Sequence, residues 1–369
     1  MKWSWKLVRL AGIDVFVHAT FVMLIVWIAM IYWDTGGGLD AVARGVGFIL
    51  ALFACVLLHE FGHALTARRY GIRTRYITLL PIGGVAMLER MPDDPKQEMR
   101  VALAGPAVNL VLAGLLWIWL WAQGTLLGAT VDHLDPTGGP LLGRLMAVNV
   151  MLAVFNLLPA FPMDGGRVLR ALLAQSRPRG EATRLAASVG QALALLLGLL
   201  GLLYNPFLIF IALFVWIGAA AEAGSEEAKA ALAGTTVGGA MLTDYRTLSI
   251  DDPLDRAIEL TLAGTQKDFP VLQRDSLVGV LLQADLFSGL RQDGGQARVG
   301  DLMHRAAQTA DINEPLTSVL QRLQGSECRL LSVTSAGRMV GIVDLDNIIE
   351  LIKIQSALHG RNGAAERAR

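Results

Sequence analysis

Apolar stretches separated by short polar connections occupy most of the first 222 residues. Cutting at charges and turn residues leaves six of them: Val15–Trp33, Gly45–Thr66, Val101–Trp121, Leu145–Phe161, Leu185–Tyr204 and Pro206–Ala221. The first holds 19 residues without a charge, enough to cross a bilayer as a helix. The last two form one uncharged run of 37 residues, too long for one span and broken at Asn205-Pro206. The pattern predicts a polytopic α-helical membrane protein with about six transmembrane helices. Between the second and third lies ITLLPIGGVAMLE (residues 77–89), apolar but too short and interrupted to span. It reads as a re-entrant β-hairpin or loop, tolerable at membrane depth only where protein or water satisfies its backbone. A plain interfacial loop is the alternative.

Composition and charge refine this picture. Hydrophobic residues make up 53% of the 369 and charged residues 17%, too oily for an ordinary soluble protein. Net charge is zero, so nothing points to nucleic acid as a partner. Cys55 and Cys328 lie far apart, and no disulfide framework follows from them. The basic, then apolar, N-terminus imitates a signal peptide, but without a small-residue cleavage pattern it reads as a retained first span. Lys and Arg near span ends mark the cytoplasmic side. They gather at the N-terminus (Lys2, Lys6, Arg9), with seven more in 67–100 and five in 162–184, whereas the opposite connections hold only Arg44 and Arg144. Both termini are therefore expected in the cytoplasm.

After Gly224 the chain turns mixed and repeats itself. VGGAM (237–241) matches VGDLM (299–303), IDDPL (250–254) matches INEPL (312–316), and VGV (278–280) matches VGI (340–342), each at an offset of 62. Each copy predicts a βαββα order and a small α/β unit. The expected division is a six-span domain at 1–222, a linker or short surface helix at 223–236, repeats at 237–298 and 299–356, and a disordered tail at 357–369. The repeat resembles a tandem pair of CBS domains. That resemblance implies a C-terminal α/β module that often binds adenine nucleotide in its cleft and pairs into homodimers. Asp285 falls where the family's ribose-binding Asp stands, but its counterpart is Asn347. The phosphate-contacting Ser/Thr positions are Leu282 and Asp344. Nucleotide binding and a purely structural module both remain open.

The chemistry lies in the second apolar stretch, which runs into HEFGH at residues 59–63. On a helix, His59 and His63 sit one turn apart on one face, so both imidazoles can converge on one ion, and Glu60 stands beside the first. This is the arrangement of two nitrogen ligands for zinc with a carboxylate base for a water. Ionisable groups in an apolar helix are costly and usually functional. A catalytic zinc needs a third protein ligand and an open position. Asp164, in NLLPAFPMDGGR (156–167), is the outstanding membrane-level acid. Prolines and glycines around it should stop the fourth helix and leave the carboxylate on irregular backbone, at the same cytoplasmic depth as HEFGH.

HEFGH paired with NLLPAFPMDGG resembles the site-2 protease family of intramembrane zinc metalloproteases, over about residues 10–222. With the repeat, the chain is similar to the CBS-bearing branch, which includes a protease activating a sporulation sigma-factor precursor. The resemblance implies one catalytic zinc on His59, His63 and Asp164, with Glu60 as general base. It implies a bacterial inner membrane and, as substrate, a single-span regulator such as an anti-sigma factor or membrane-tethered sigma precursor. The CBS pair would gate activity or sense nucleotide. Asn109 and Asn156 are candidates for oxyanion or substrate positioning, with interhelical packing as the alternative and Asn156 favoured by its nearness to Asp164. Gly83, Gly84, Val85 and Ala86 are candidates for an edge that receives an unwound substrate as an added strand. A CBS-regulated metal transporter or channel, with the same residues as a transit site, is the alternative of another class.

Overall fold

The computed structural model describes residues 3–34, 38–124, 141–274, 276–293, 297–305, 307–324 and 328–355. The chain divides into two compact units, Met1–Gly224 and Ser225–Arg369. The expected tail at 357–369 lies outside the described residues.

The first unit opens with a feature absent from the expected six-helix pattern. β1 (Ser4–Leu10) and β2 (Ile13–His18) form an antiparallel hairpin, and only then does α1 (Ala19–Asp34) begin. The uncharged run starting at Val15 is therefore a strand end joined to a helix, and the first apolar helix starts four residues later than expected. Alternation explains the strand: Ile13 and Val15 are buried while Asp14 turns out to meet Lys6 at 2.7 Å. α2 (Gly38–Arg68) follows, then β3 (Thr74–Leu80) and β4 (Gly83–Leu88). The expected hairpin is thus present, and it joins a four-stranded sheet in the order β1-β2-β3-β4, with β2 and β3 parallel and β4 on an edge.

Five more helices follow: α3 (Pro95–Ala122), α4 (Leu141–Asn156), α5 (Asp164–Leu173), α6 (Arg179–Leu203) and α7 (Phe207–Ala231). α3 starts where Asp94 accepts the Lys96 N–H at 2.9 Å and Pro95 takes the first helical position. Four helices, α2, α3, α6 and α7, are long and apolar enough to cross a membrane, and α1 and α4 are shorter apolar helices. Their outer faces carry exposed Trp27, Trp117, Leu195, Leu202 and Phe210, a display suited to lipid rather than water. The sheet lies on the HEFGH turn of α2 through a core of Ile13, Val15, Phe61, Ala64 and Ile77. α3 crosses α2 closely at Gly62, where a Cβ would stand 2.7 Å from the Ala104 carbonyl oxygen. The glycine of HEFGH is required by that crossing. α7 continues to Ala231, so much of the expected linker is helical.

In the second unit a short 3-10 turn (Val237–Gly239) precedes β5 (Leu248–Ser249), α8 (Leu254–Ala263), β6 (Phe269–Gln273), β7 (Ser276–Leu281) and α9 (Gln283–Asp293). The second copy runs α10 (Val299–Leu302), β8 (Thr309–Asp311), α11 (Leu316–Gln324), β9 (Leu330–Ser335) and β10 (Arg338–Asp344), and residues 345–355 are helical. Each copy has the βαββα order that the repeat predicts. The opening segments dock reciprocally. The Val237 and Gly238 N–H groups donate to Glu314 and Ile312 carbonyls at 3.0 and 2.9 Å, and Val299 and Gly300 donate to Asp252 and Ile250 at 2.9 Å each. Val237 accordingly belongs to the core of the second copy, and Val299 to that of the first.

Candidate metal centre

Two helices bring three ligand atoms together. The Nε2 atoms of His59 and His63, one turn apart on α2, stand 3.1 Å from each other. Asp164 Oδ2 lies 3.2 Å from the first and 3.0 Å from the second. All three side chains are buried. Tetrahedral ligands about 2.0–2.1 Å from zinc are about 3.3 Å apart, so this spacing and the two-nitrogen, one-oxygen donor set fit a zinc ion with a position left open. Among the described residues this is the group of His, Cys, Asp and Glu whose donor atoms so converge.

The surroundings orient each member. His63 Nδ1 donates to the Val101 carbonyl at 2.7 Å, which fixes its tautomer and turns Nε2 toward the centre. Gly105, one turn further along α3, lies against both histidines; a Cβ there would overlap their Nε2 atoms. Glu60 is held from the sheet side, where the Ala86 N–H donates to its Oε2 at 3.0 Å. Gly84, two residues back on β4, faces the same side chain, and a Cβ would come within 2.7 Å of Glu60 Cγ.

Asp164 departs from the expected irregular backbone. α4 ends at Asn156, residues 157–163 form turns, and Asp164 is the first residue of α5. Its carboxylate therefore sits at a helix N-terminus, where the peptide dipoles favour negative charge. Arg167, one turn on, approaches the other carboxylate oxygen at 4.0 Å.

The two asparagines fare differently. Asn156 donates to the Leu152 carbonyl on its own helix at 3.0 Å. Asn109 is buried, and neither atom of its amide has a hydrogen-bond partner among the described residues. It lies one turn from Gly105 on α3, and its bonding capacity is unspent among the described residues. Nearness in sequence favoured Asn156, but the free amide is that of Asn109. Gly83, Gly84, Val85 and Ala86 lie on β4, the edge strand. The Ala86 N–H on this strand is the group that meets Glu60.

In the C-terminal unit, Asp285 accepts a bond from His304 Nε2 at 2.9 Å. Its counterpart Asn347 instead lines a cleft of about 520 Å³ between the copies, with Asp268, Asp344, Asp346, Lys267 and Arg329. Burial raises the Asp268 and Asp344 carboxyls above the usual range.

Two partners of the histidines, Val101 and Gly105, were not foreseen from the sequence. A main-chain carbonyl leaves no mark in a sequence. Gly105-Pro106 inside an apolar helix was the available signal for a close approach.

Residues 47–197 match peptidase family M50, and residues 299–354 match the CBS domain. A zinc metalloprotease of Methanocaldococcus jannaschii is 31% identical over 359 residues, covering 96% of this chain and 97% of that protein. Stage IV sporulation protein FB of Bacillus subtilis is 32% identical over 151 residues, 41% of this chain and 48% of that one. Among solved structures, the site-2 protease from M. jannaschii is 37% identical, with a TM-score of 0.44, covering 60% of this chain and 95% of that one.

Proposed function

Because this chain belongs to the site-2 proteases of peptidase family M50 and is a zinc metalloprotease with a CBS domain, we propose that it cleaves a membrane-tethered regulatory protein within the bilayer. One zinc ion is held by His59, His63 and Asp164, and Glu60 is the general base. The observation that carries this reading is the convergence of three buried donor atoms within 3.2 Å, with Glu60 fixed beside them by β4. Zinc, when bound, supplies Lewis acidity toward a water and toward the scissile carbonyl. Glu60 takes the water's proton and returns it to the departing amide nitrogen. The Asn109 amide donates to the carbonyl oxygen as negative charge develops there.

A peptide bond in a transmembrane helix has its carbonyl committed to the helix, so the substrate must unwind first. Residues 83–86 offer an edge for the unwound segment as an added strand. Glu60 already occupies an N–H of that edge, so a peptide laid along it passes beside the base. The six apolar helices and the asymmetry of Lys and Arg support six spans in a bacterial inner membrane, both termini cytoplasmic, with the hairpin re-entering at the depth of HEFGH. The two copies act as a CBS pair that gates activity, with nucleotide in a cleft between them and homodimerisation through the module. An anti-sigma factor or membrane-tethered sigma precursor fits as substrate. Kinship with zinc metalloproteases selects this reading over a metal-transit site.

The test is cleavage of a panel of single-span substrates by purified full-length protein. Wild type should cleave at least one member, and Glu60→Gln should keep its zinc and lose about 10²–10⁴ in rate. Unchanged cleavage by Glu60→Gln would overturn the proposal.

A further inference from the structure

Among the described residues, the most deeply buried charges outside the metal centre form a second cluster, centred on Arg170 of α5. Arg170 and Glu98 are each 1% exposed. Arg170 Nε donates to Glu98 Oε1 at 2.8 Å, and its Nη1 meets Glu222 on α7. The guanidinium also lies 5.2 Å from the centroid of Phe161, in the turns just before Asp164. Glu98 takes a further contact from Arg179 Nη2 at 3.3 Å.

These partners connect to the metal centre from both sides. Arg170 is six residues along α5 from Asp164, about 9 Å of helix rise. Glu98 is one turn from Val101 on α3, and the Val101 carbonyl orients His63. Asp164 and His63 are thus joined by a rigid path through α5, the Arg170–Glu98 pair and α3. Such a pair is poor evidence of a stabilising role, because well-packed apolar residues often stabilise a core as well. What an arginine fork adds is geometry, since it holds two carboxylates and a ring at once, which a lysine cannot.

We propose that Arg170 is a positioning residue that sets the separation of Asp164 from the histidine pair. This rests on the reading of those three side chains as zinc ligands.

The experiment uses purified full-length protein, with zinc affinity measured by chelator competition and ligand geometry by the visible spectrum of the cobalt(II)-substituted form. Arg170→Lys should weaken zinc binding by about 10–100-fold and shift the cobalt bands. Combined with Asp164→Ala it should add little, because its effect passes through Asp164. A folded Arg170→Lys protein with wild-type affinity and spectrum, or effects that add fully, would overturn the proposal. If Arg170→Lys does not fold, Glu222→Gln carries the test at a part-exposed position. There the expected result is a several-fold loss with a shifted spectrum, and no change in either overturns the proposal. Should Asp164→Ala leave zinc affinity unchanged, the ligand assignment fails instead, and the two failures are distinguishable.

Discussion

The two units differ in where their clearest charge pairs lie. Among the described residues of the helical unit, the deeply buried charged or titratable groups form two clusters, His59, His63 and Asp164 in one and Glu98 with Arg170 in the other. In the C-terminal unit, pairs such as Lys267–Asp346 and Arg256–Glu259, both at 2.8 Å, stand in solvent. Burial makes a charge costly unless it is paired, whereas water screens an exposed pair to near indifference. A charge buried in the helical unit therefore carries functional information that a solvent-exposed pair does not.

That contrast can be broken by substitution. Glu98→Gln should be the most damaging to stability, costing about 3–5 kcal/mol by leaving Arg170 buried with one carboxylate fewer, as read from thermal unfolding in detergent. An unchanged midpoint would place Glu98 among the indifferent charges. Replacing both Glu98 and Arg170 by Met should recover much of the stability while zinc affinity stays low, separating the structural from the positioning role. Asn109→Ala should lose about 10²–10³ in turnover with zinc content intact. A loss confined to KM would make it a binding residue instead.

The second unit should respond weakly. Burial raises the Asp268 carboxyl, so the folded state holds its proton at a pH where the unfolded chain, near 3.9, has released it. Stability is consequently lost as pH rises from the ordinary carboxylate value through the raised one. Asp268→Asn should therefore stabilise this unit slightly at pH 7, an advantage that fades toward pH 4. A constant difference across that range would contradict the assignment. Lys267→Ala, at a fully exposed pair, should leave the unfolding midpoint unmoved.

The same contrast explains what could be read before the structure was known. HEFGH and Asp164 stood out because ionisable groups in oil need a reason, and six apolar helices, four of them long enough to cross a membrane, followed from hydropathy. The β1–β2 hairpin did not, because Val15–Val17 is uncharged and merges with the helix behind it. Arg170 and Glu98 were hidden for a related reason: each lies near a span end, where a charge passes for an interfacial one, and they meet across 72 residues. The repeat at offset 62 predicted the element order of the second unit but not the reciprocal docking of its opening segments, which is a matter of main-chain bonds.

X-ray absorption at the zinc edge of wild type and Asp164→Cys tests whether His59, His63 and Asp164 hold the zinc. Wild type should show a shell of nitrogen and oxygen with imidazole scattering, and Asp164→Cys should replace one oxygen by a sulfur at about 2.3 Å. A zinc shell that the substitution leaves unchanged would contradict the account.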